Sequence, residues 1–261
     1  MARSIVVDHV VKEFTMQYHR TLKQKLVAAA RRLPLQESFL AVNDVTFSVE
    51  QGESVGLMGL NGSGKSTLLK LINGVMRPER GHILTRGRIA GLIATGAGFH
   101  PQMTGQENLF LNAAILGMSE AETNRKYDQI VEFADIGRFL DTPVSHYSSG
   151  MVARLGFAIA VHVDADIFLA DEVLAVGDRP FKKKCMVKMQ EIRQQGTTIF
   201  YVSHAAASVR SMCDRVLVLE SGRLAFDGDV DEGIRFLHYD DDVETDEGMD
   251  SLADEELGAD I

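Results

Sequence analysis

A glycine-rich run that ends in lysine and serine is the first feature of the sequence that could do chemistry. Residues 59–66 read Gly-Leu-Asn-Gly-Ser-Gly-Lys-Ser, with an apolar run before them and a helical pattern after them. The glycines of such a loop allow backbone N–H groups to turn inward, and these donors and the helix N-terminus hold phosphate groups. We expect Lys65 to contact the β- and γ-phosphates of a nucleotide and the Ser66 hydroxyl to ligate Mg²⁺. The residues predicted to bind the phosphates are Gly59, Leu60, Asn61, Gly62, Ser63, Gly64, Lys65, Ser66 and Thr67.

Two adjacent carboxylates, Asp171 and Glu172, follow a second apolar run further along the chain. Neighbouring residues of a strand point to opposite sides, so the two carboxylates can take different roles. We expect Asp171 to reach the Mg²⁺ ion and Glu172 to orient or deprotonate the water that attacks the γ-phosphate. Together with the glycine-rich loop, this pair predicts an ATPase or GTPase of the phosphate-loop class.

The elements that must position these residues follow an α/β pattern. Short apolar runs typical of buried parallel strands occur at Ile167–Ala170, Thr198–Val202 and Val216–Leu219. Helical patterns separate these strands near 178–195 and 205–211. We therefore predict a phosphate-loop ATPase core built on a parallel sheet.

Two further regions flank this core. Near the N-terminus, residues 4–10 are predicted as a strand, and Asp44–Glu50 with Ser54–Met58 as a β-hairpin that leads into the loop. Between the loop and the carboxylates the pattern becomes helical, with helices predicted at 106–116, 120–134 and 150–163. The sequence thus adds an N-terminal antiparallel β part and an inserted helical subdomain at about 104–163.

Three further features resemble the ATP-binding-cassette family. The segment Tyr147–Met151, Tyr-Ser-Ser-Gly-Met, resembles the family signature, which is usually Leu-Ser-Gly-Gly-Gln. Asp178 resembles the aspartate of the D-loop, and His204, at the end of a predicted strand, resembles the switch histidine that contacts the γ-phosphate. The resemblance covers residues 3 to about 237, and it implies two chains that meet head to tail around two ATP molecules. The implied roles are catalytic for Glu172, His204 and Lys65, nucleotide-binding for Ser148, Ser149, Gly150 and Asp178, and metal-binding for Ser66 and Asp171.

Other segments are similar to one branch of that family. They are Gly96–Pro101, Thr104–Leu109 and Asp171–Cys185, and together with the signature they resemble exporters of lipid-linked polysaccharides such as O-antigen, teichoic acid and mycobacterial galactan. The resemblance implies an ATP-hydrolysing homodimer with bound ATP and Mg²⁺, placed on the cytoplasmic face of the membrane by separate membrane-spanning permease subunits. The alternatives are the ATPase of a small-molecule importer or exporter, or a soluble cassette ATPase that acts on DNA or ribosomes. We expect no nucleic-acid partner, because the body of the chain has no broad basic face.

Two positions depart from the family pattern. The family commonly places a glutamine about six residues before the proline that corresponds to Pro101, and this sequence has Thr95 there. The aromatic residue that stacks on adenine normally ends the first strand, which indicates Phe14, but an insertion after it leaves Tyr18 and Phe39 as alternatives.

Charge and hydropathy divide the chain further. The formal net charge is −10, yet residues 240–261 contain eleven acidic residues and neither lysine nor arginine. We expect 1–238 to form the cassette domain and 239–261 a disordered acidic tail.

Residues 18–36 carry five basic residues and no acidic one, with apolar residues at helical spacing. This pattern predicts a basic amphipathic helix that packs against a membrane surface, against a partner or against its own domain. No apolar run is long enough to span a bilayer, and no secretory signal is apparent at the start, so we expect a cytoplasmic location.

Overall fold

The computed structural model describes residues 2–17, 36–92, 98–171 and 178–237. Its strands are β1 (Arg3–Gln17), β2 (Gln36–Glu50), β3 (Ser54–Met58), β4 (Arg80–Thr85), β5 (Ile89–Leu92), β6 (Ile167–Ala170), β7 (Thr198–Val202), β8 (Arg215–Glu220) and β9 (Arg223–Gly228). Its α-helices are α1 (Lys65–Ile72), α2 (Gly105–Ile115), α3 (Glu120–Ala134), α4 (Ser149–Ala160), α5 (Arg179–Gln194), α6 (Ala206–Met212) and α7 (Val230–Phe236). Short 3₁₀-helices cover Gly137–Asp141 and Val144–His146.

The larger sheet is mostly parallel and carries the chemistry-bearing segments. Its strand order is β5-β6-β7-β3-β8-β9, in which only the β8–β9 pair is antiparallel. Every residue of β3, β6 and β7 is buried, as expected of apolar strands covered on both faces. The predicted bounds of β6 and β7 are confirmed. Because β6, β7 and β3 are parallel neighbours, the segments that follow their carboxyl ends lie side by side.

The smaller sheet is antiparallel, with the order β2-β1-β4. The predicted hairpin of Asp44–Glu50 with Ser54–Met58 is wrong, because β2 pairs with β1 whereas β3 pairs with β7 and β8. A turn at Gly52, whose φ is 79°, carries the chain from one sheet to the other. The rings of Phe47 and Phe200 stack 5.8 Å apart at an interplanar angle of 8°, and so join the two sheets.

Strands β1 and β2 are longer than predicted and pair as far as Gln17 and Gln36. The basic helix predicted at 18–36 therefore lies outside the described residues, except for Gln36, which begins β2. The predicted acidic tail, 239–261, also lies outside them.

The inserted helical region contains α2, α3 and α4, each within a few residues of its predicted bounds. Local sequence explains where these helices begin. Thr104 and Glu107 form a reciprocal capping box at α2, Ser119 caps α3, and Ser148 caps α4 by accepting a hydrogen bond from the Met151 N–H. Fully buried apolar residues on each helix, Leu109, Ile130 and Leu155, belong to the core between these helices and the parallel sheet.

Within the described ranges, no helix combines the length and apolar character needed to cross a membrane. The two cysteines, Cys185 and Cys213, are free thiols in the core, where burial raises the pKa of each to about 12.

Candidate functional site

All three glycines of the loop have a positive φ, and at two of them a side chain would also meet a main-chain oxygen. Gly59 and Gly64 have φ values of 141° and 106°, in the region that side chains disfavour. A Cβ at Gly59 would lie 2.2 Å from the Leu219 carbonyl oxygen, and one at Gly64 would lie 2.2 Å from the Ala41 carbonyl oxygen. The loop therefore packs closely against the end of β8 and against strand β2.

Helix α1 begins directly after this loop. Gly64 is its N-cap and has no side chain to satisfy the first N–H groups, and the first turn contains no acidic residue. The helix end is consequently suited to an anion. Lys65, only 7% exposed, donates hydrogen bonds from Nζ to the carbonyl oxygens of Gly59 at 2.6 Å and Leu60 at 3.0 Å. Its ammonium group is thus held against the main chain at the start of the loop.

A cavity of about 280 Å³ opens over the loop and α1. Asp171, which follows β6, and His204, which lies two residues after β7, both contribute to its wall. The parallel order of the sheet explains this convergence, since both segments leave adjacent strands at the same edge. The described residues that line the cavity are Phe39, Ala41, Asn61, Gly62, Gly64, Lys65, Ser66, Thr67, Asp171, Val202 and His204.

The cavity offers oxygen donors of the kind that Mg²⁺ prefers. The Ser66 hydroxyl and the Asp171 carboxylate share its wall with Lys65. Over the described part of the chain, no cluster of three or more His, Cys, Asp or Glu side chains could hold a metal ion. A Mg²⁺ ion held by one hydroxyl, one carboxylate and phosphate oxygens needs no such cluster, so these residues fit the predicted ion.

The aromatic candidates for the adenine ring lie on paired strands. Phe14 of β1 is opposite Phe39 of β2, and their rings stack 5.7 Å apart at an interplanar angle of 28°. Phe39 is 45% exposed and lines the cavity, whereas Phe14 is not among the cavity's described lining residues. The geometry therefore favours the alternative, Phe39, over Phe14 for direct contact. Tyr18 lies outside the described residues.

The signature segment is separate from this cavity. Ser148, Ser149 and Gly150 form the N-terminus of α4, and neither they nor Asp178 are among its described lining residues. Glu172 and Thr95 lie outside the described residues. The structure thus gathers the loop, Asp171 and His204 at one place, and presents the signature elsewhere on the surface.

One residue that the sequence analysis did not single out links the signature helix to Asp178. Arg154 of α4 donates hydrogen bonds to Asp178 Oδ1 at 2.8 Å and to Asp135 Oδ2 at 3.2 Å. Its guanidinium also lies 4.7 Å from the centre of the Phe181 ring. The hydrogen bond from Arg154 holds the pKa of the Asp178 carboxyl below its ordinary value. Arg154 is the one charged residue in the sequence of α4, which is the signal that could have identified it.

Comparison with known proteins gives consistent matches to one family. The family model described as "ABC transporter" matches residues 42–175. The O-antigen export system ATP-binding protein RfbB of Klebsiella pneumoniae is 42% identical over 221 residues, which cover 83% of this chain and 90% of RfbB. The teichoic acids export ATP-binding protein TagH of Bacillus anthracis is 42% identical over 241 residues, which cover 92% of this chain but only 43% of TagH.

Solved structures share the fold. An ATP-binding subunit of an ABC transporter, 26% identical, superposes with a TM-score of 0.70 over 90% of this chain and 93% of its own. A dimeric ATP-binding cassette in a post-hydrolysis state with ADP and phosphate, 22% identical, gives 0.69 over 87% of this chain and 98% of its own. The predicted fold, a phosphate-loop core with a parallel sheet, an antiparallel N-terminal part and a helical insertion, is confirmed.

Proposed function

Because this chain belongs to the ABC transporter family of ATPases, we propose that it is the ATP-hydrolysing subunit of an exporter that moves a lipid-linked polysaccharide across the cytoplasmic membrane. The observation that carries the ATPase assignment is the single cavity shared by Lys65, Ser66, Asp171 and His204. The names of the relatives, which export O-antigen and teichoic acids, support the polysaccharide over a small molecule, DNA or the ribosome. The chain spans less than half of the length of the Bacillus anthracis relative.

The loop and α1 bind the phosphates of ATP in this proposal. Backbone N–H groups of residues 59–67 and the N-terminus of α1 surround the phosphates, and Lys65 supplies a positive charge to them. Ser66 and Asp171 hold Mg²⁺, which when bound neutralises the charge of the β- and γ-phosphate oxygens. The base stacks on Phe39, whose ring is supported from behind by Phe14.

Hydrolysis requires a water molecule aligned with the γ-phosphate. Glu172, which follows the metal-binding Asp171 in the chain, orients or deprotonates this water. His204 projects from the end of the neighbouring strand into the same cavity and contacts the γ-phosphate.

The site is completed by a second copy of the chain. The signature residues Ser148, Ser149 and Gly150 form a helix N-terminus that could bind an anion, yet they lie apart from the cavity of their own chain. A head-to-tail homodimer brings this helix end, with Asp178, to the γ-phosphate held by the partner. Hydrolysis removes the phosphate that bridges the two chains, so the dimer can reopen and drive the permease subunits between conformations.

The remaining organisation is part of the proposal. Residues 1–238 form one cassette domain, with its helical subdomain at about 104–163, and 239–261 form an acidic tail. The chain is a peripheral subunit on the cytoplasmic face of the membrane, held there by separate membrane-spanning permeases, and it has no nucleic-acid partner. The basic segment 18–36 is suited to contact with the membrane surface or the permease.

The ATPase role is tested with Glu172→Gln. This variant should lose steady-state ATP hydrolysis but form a dimer when ATP is added, because binding is retained while the water is no longer activated. Glu132→Gln, at an exposed glutamate of α3, is the matched control and should hydrolyse ATP normally. Hydrolysis at the wild-type rate in Glu172→Gln would contradict the assignment.

The transported substrate is tested in cells. Depletion of this chain together with a co-purifying polytopic membrane protein should cause lipid-linked glycan to accumulate inside the cell. A growth defect that is rescued by a supplied nutrient, without glycan accumulation, would instead indicate an importer.

A further inference from the structure

The signature of this chain begins with a tyrosine, and its side chain reaches across the helical subdomain. Tyr147 lies between the 3₁₀-helix Val144–His146 and the N-cap of α4. It is partly buried, packs against the core, and donates a hydrogen bond from its hydroxyl to the Phe139 carbonyl oxygen at 2.6 Å. The ring is therefore held at both its backbone end and its hydroxyl end.

The tyrosine hydroxyl lies directly over the first residue of α2. That residue, Gly105, is buried, and a Cβ placed on it would lie 1.9 Å from the Tyr147 hydroxyl oxygen, 3.1 Å from Tyr147 Cζ and 3.1 Å from the Leu140 carbonyl oxygen. No side chain fits at this position while the tyrosine stays where it is. Gly105 and Tyr147 are thus fitted to each other.

The chain segments around this contact are also joined through their backbones. Ser145 N–H donates to the Pro101 carbonyl oxygen at 2.8 Å, Val144 N–H to that of Met103 at 3.0 Å, and Gly105 N–H to that of Thr142 at 3.2 Å. Residues 101–105 therefore run beside residues 142–145, which lead into the signature.

A buried amide fixes the shape of the first of these segments. Asn108 of α2 is fully buried, and its Oδ1 accepts a hydrogen bond from the His100 N–H at 2.6 Å. Its Nδ2 donates to the carbonyl oxygens of His100, Met103 and Thr104 at 3.0, 3.0 and 2.9 Å. Residues 100–105 are consequently a rigid surface against which the tyrosine packs.

We propose that Tyr147 is a positioning residue, which through its contact with Gly105 sets the place of Ser148, Ser149 and Gly150 relative to α2. This inference rests on the proposed function, because it concerns how the signature is presented to the nucleotide of the partner chain. A displacement of the tyrosine moves the adjacent N-terminus of α4 and weakens closure of the dimer. Nucleotide binding by the loop of the same chain, at Lys65, is unaffected.

The test uses the full chain with Glu172→Gln, so that ATP-driven dimers persist. Gly105→Ala, Tyr147→Phe and the double variant are compared by sedimentation velocity, which gives the ATP concentration at half-maximal dimerisation. Gly105→Ala should raise this concentration by about tenfold or more, because the new methyl group overlaps the hydroxyl. Tyr147→Phe alone should raise it by no more than about fivefold, since it removes one hydrogen bond and keeps the ring. Tyr147→Phe should restore part of the loss in the double variant, because it removes the overlapping oxygen, whereas the 3.1 Å contacts of the methyl group with the ring and with the Leu140 carbonyl oxygen remain.

A second measurement separates positioning from general damage. The affinity of each variant for ADP, which the loop of a single chain binds, should equal that of the parent. Tyr127→Phe, which removes the hydroxyl of another partly buried tyrosine on α3, and Gln106→Ala, next to Gly105, are the controls and should dimerise like the parent.

Three results would overturn the inference: unchanged dimerisation of Gly105→Ala, no recovery in the double variant, or an equal loss of ADP affinity. Failure of the Glu172→Gln parent itself to dimerise with ATP would refute the proposed function, and this inference with it.

Discussion

Replacement of Phe39 by alanine should weaken nucleotide binding only because the adenine base loses the ring on which it stacks. The ring is 45% exposed at the cavity wall, and Phe14 already covers its other face. Stacking of an aromatic ring contributes about 0.5–1.5 kcal/mol beyond buried area, which corresponds to an increase in Kd of about 2- to 13-fold. Phe14→Ala should have a smaller effect, because Phe14 supports the Phe39 ring and does not line the cavity.

The assay is calorimetric titration of the wild type and the variants with ADP and, separately, with pyrophosphate. Phe39→Ala should lower the affinity for ADP but leave that for pyrophosphate unchanged, since pyrophosphate has no ring to stack. Phe39→Tyr keeps an aromatic face and should bind ADP like the wild type. The double variant with Phe14→Ala should resemble Phe39→Ala. Wild-type affinity for ADP in Phe39→Ala, or a larger loss in Phe14→Ala, would refute the placement of adenine at Phe39.

Other expected outcomes follow from the described contacts. Gly64→Ala should weaken ADP binding, measured by calorimetry, far more than Gly62→Ala, because only at Gly64 would the new Cβ meet a main-chain oxygen, at 2.2 Å. Asp178→Asn should lower kcat for ATP more than Asp135→Asn, although both remove a carboxylate from Arg154, because only Asp178 is proposed to face the partner. Since Arg154 holds the pKa of Asp178 below its ordinary value, this contact should persist on acidification and weaken only as the pH falls through the lowered pKa, which an NMR titration can follow. Both buried cysteines, each with a pKa of about 12, should resist thiol reagents at pH 7 until the protein is unfolded.

The parts of the site that could be predicted from sequence are those encoded by adjacent residues. The glycine spacing of the loop and the apolar runs before Asp171 and His204 are local patterns, and parallel strand pairing then brings them to one edge of the sheet. Helix caps such as Ser148 are equally local, which explains why the helix bounds were predicted to within a few residues.

The parts that could not be predicted depend on pairing between distant segments. The hairpin prediction was wrong because a short turn and two apolar runs do not reveal that β2 and β3 belong to different sheets. The choice between Phe14 and Phe39 likewise depends on the register of β1 and β2 across a long insertion. The contact of Arg154 with Asp178 joins residues on separate helices, and nothing in their spacing along the chain indicates it.

The cavity wall combines residues from two sheets that share no strand. Phe39 and Ala41 come from the antiparallel sheet, whereas the glycine-rich loop follows the central strand of the parallel one. A bound nucleotide would contact both sheets, with its base against the antiparallel sheet and its phosphates against the loop that follows the parallel sheet. A free nucleotide concentration of 100 times Kd would add about 2.7 kcal/mol to the free energy of unfolding. Emptying the site would remove this contribution, whereas the packing of Phe47 on Phe200 would still join the two sheets.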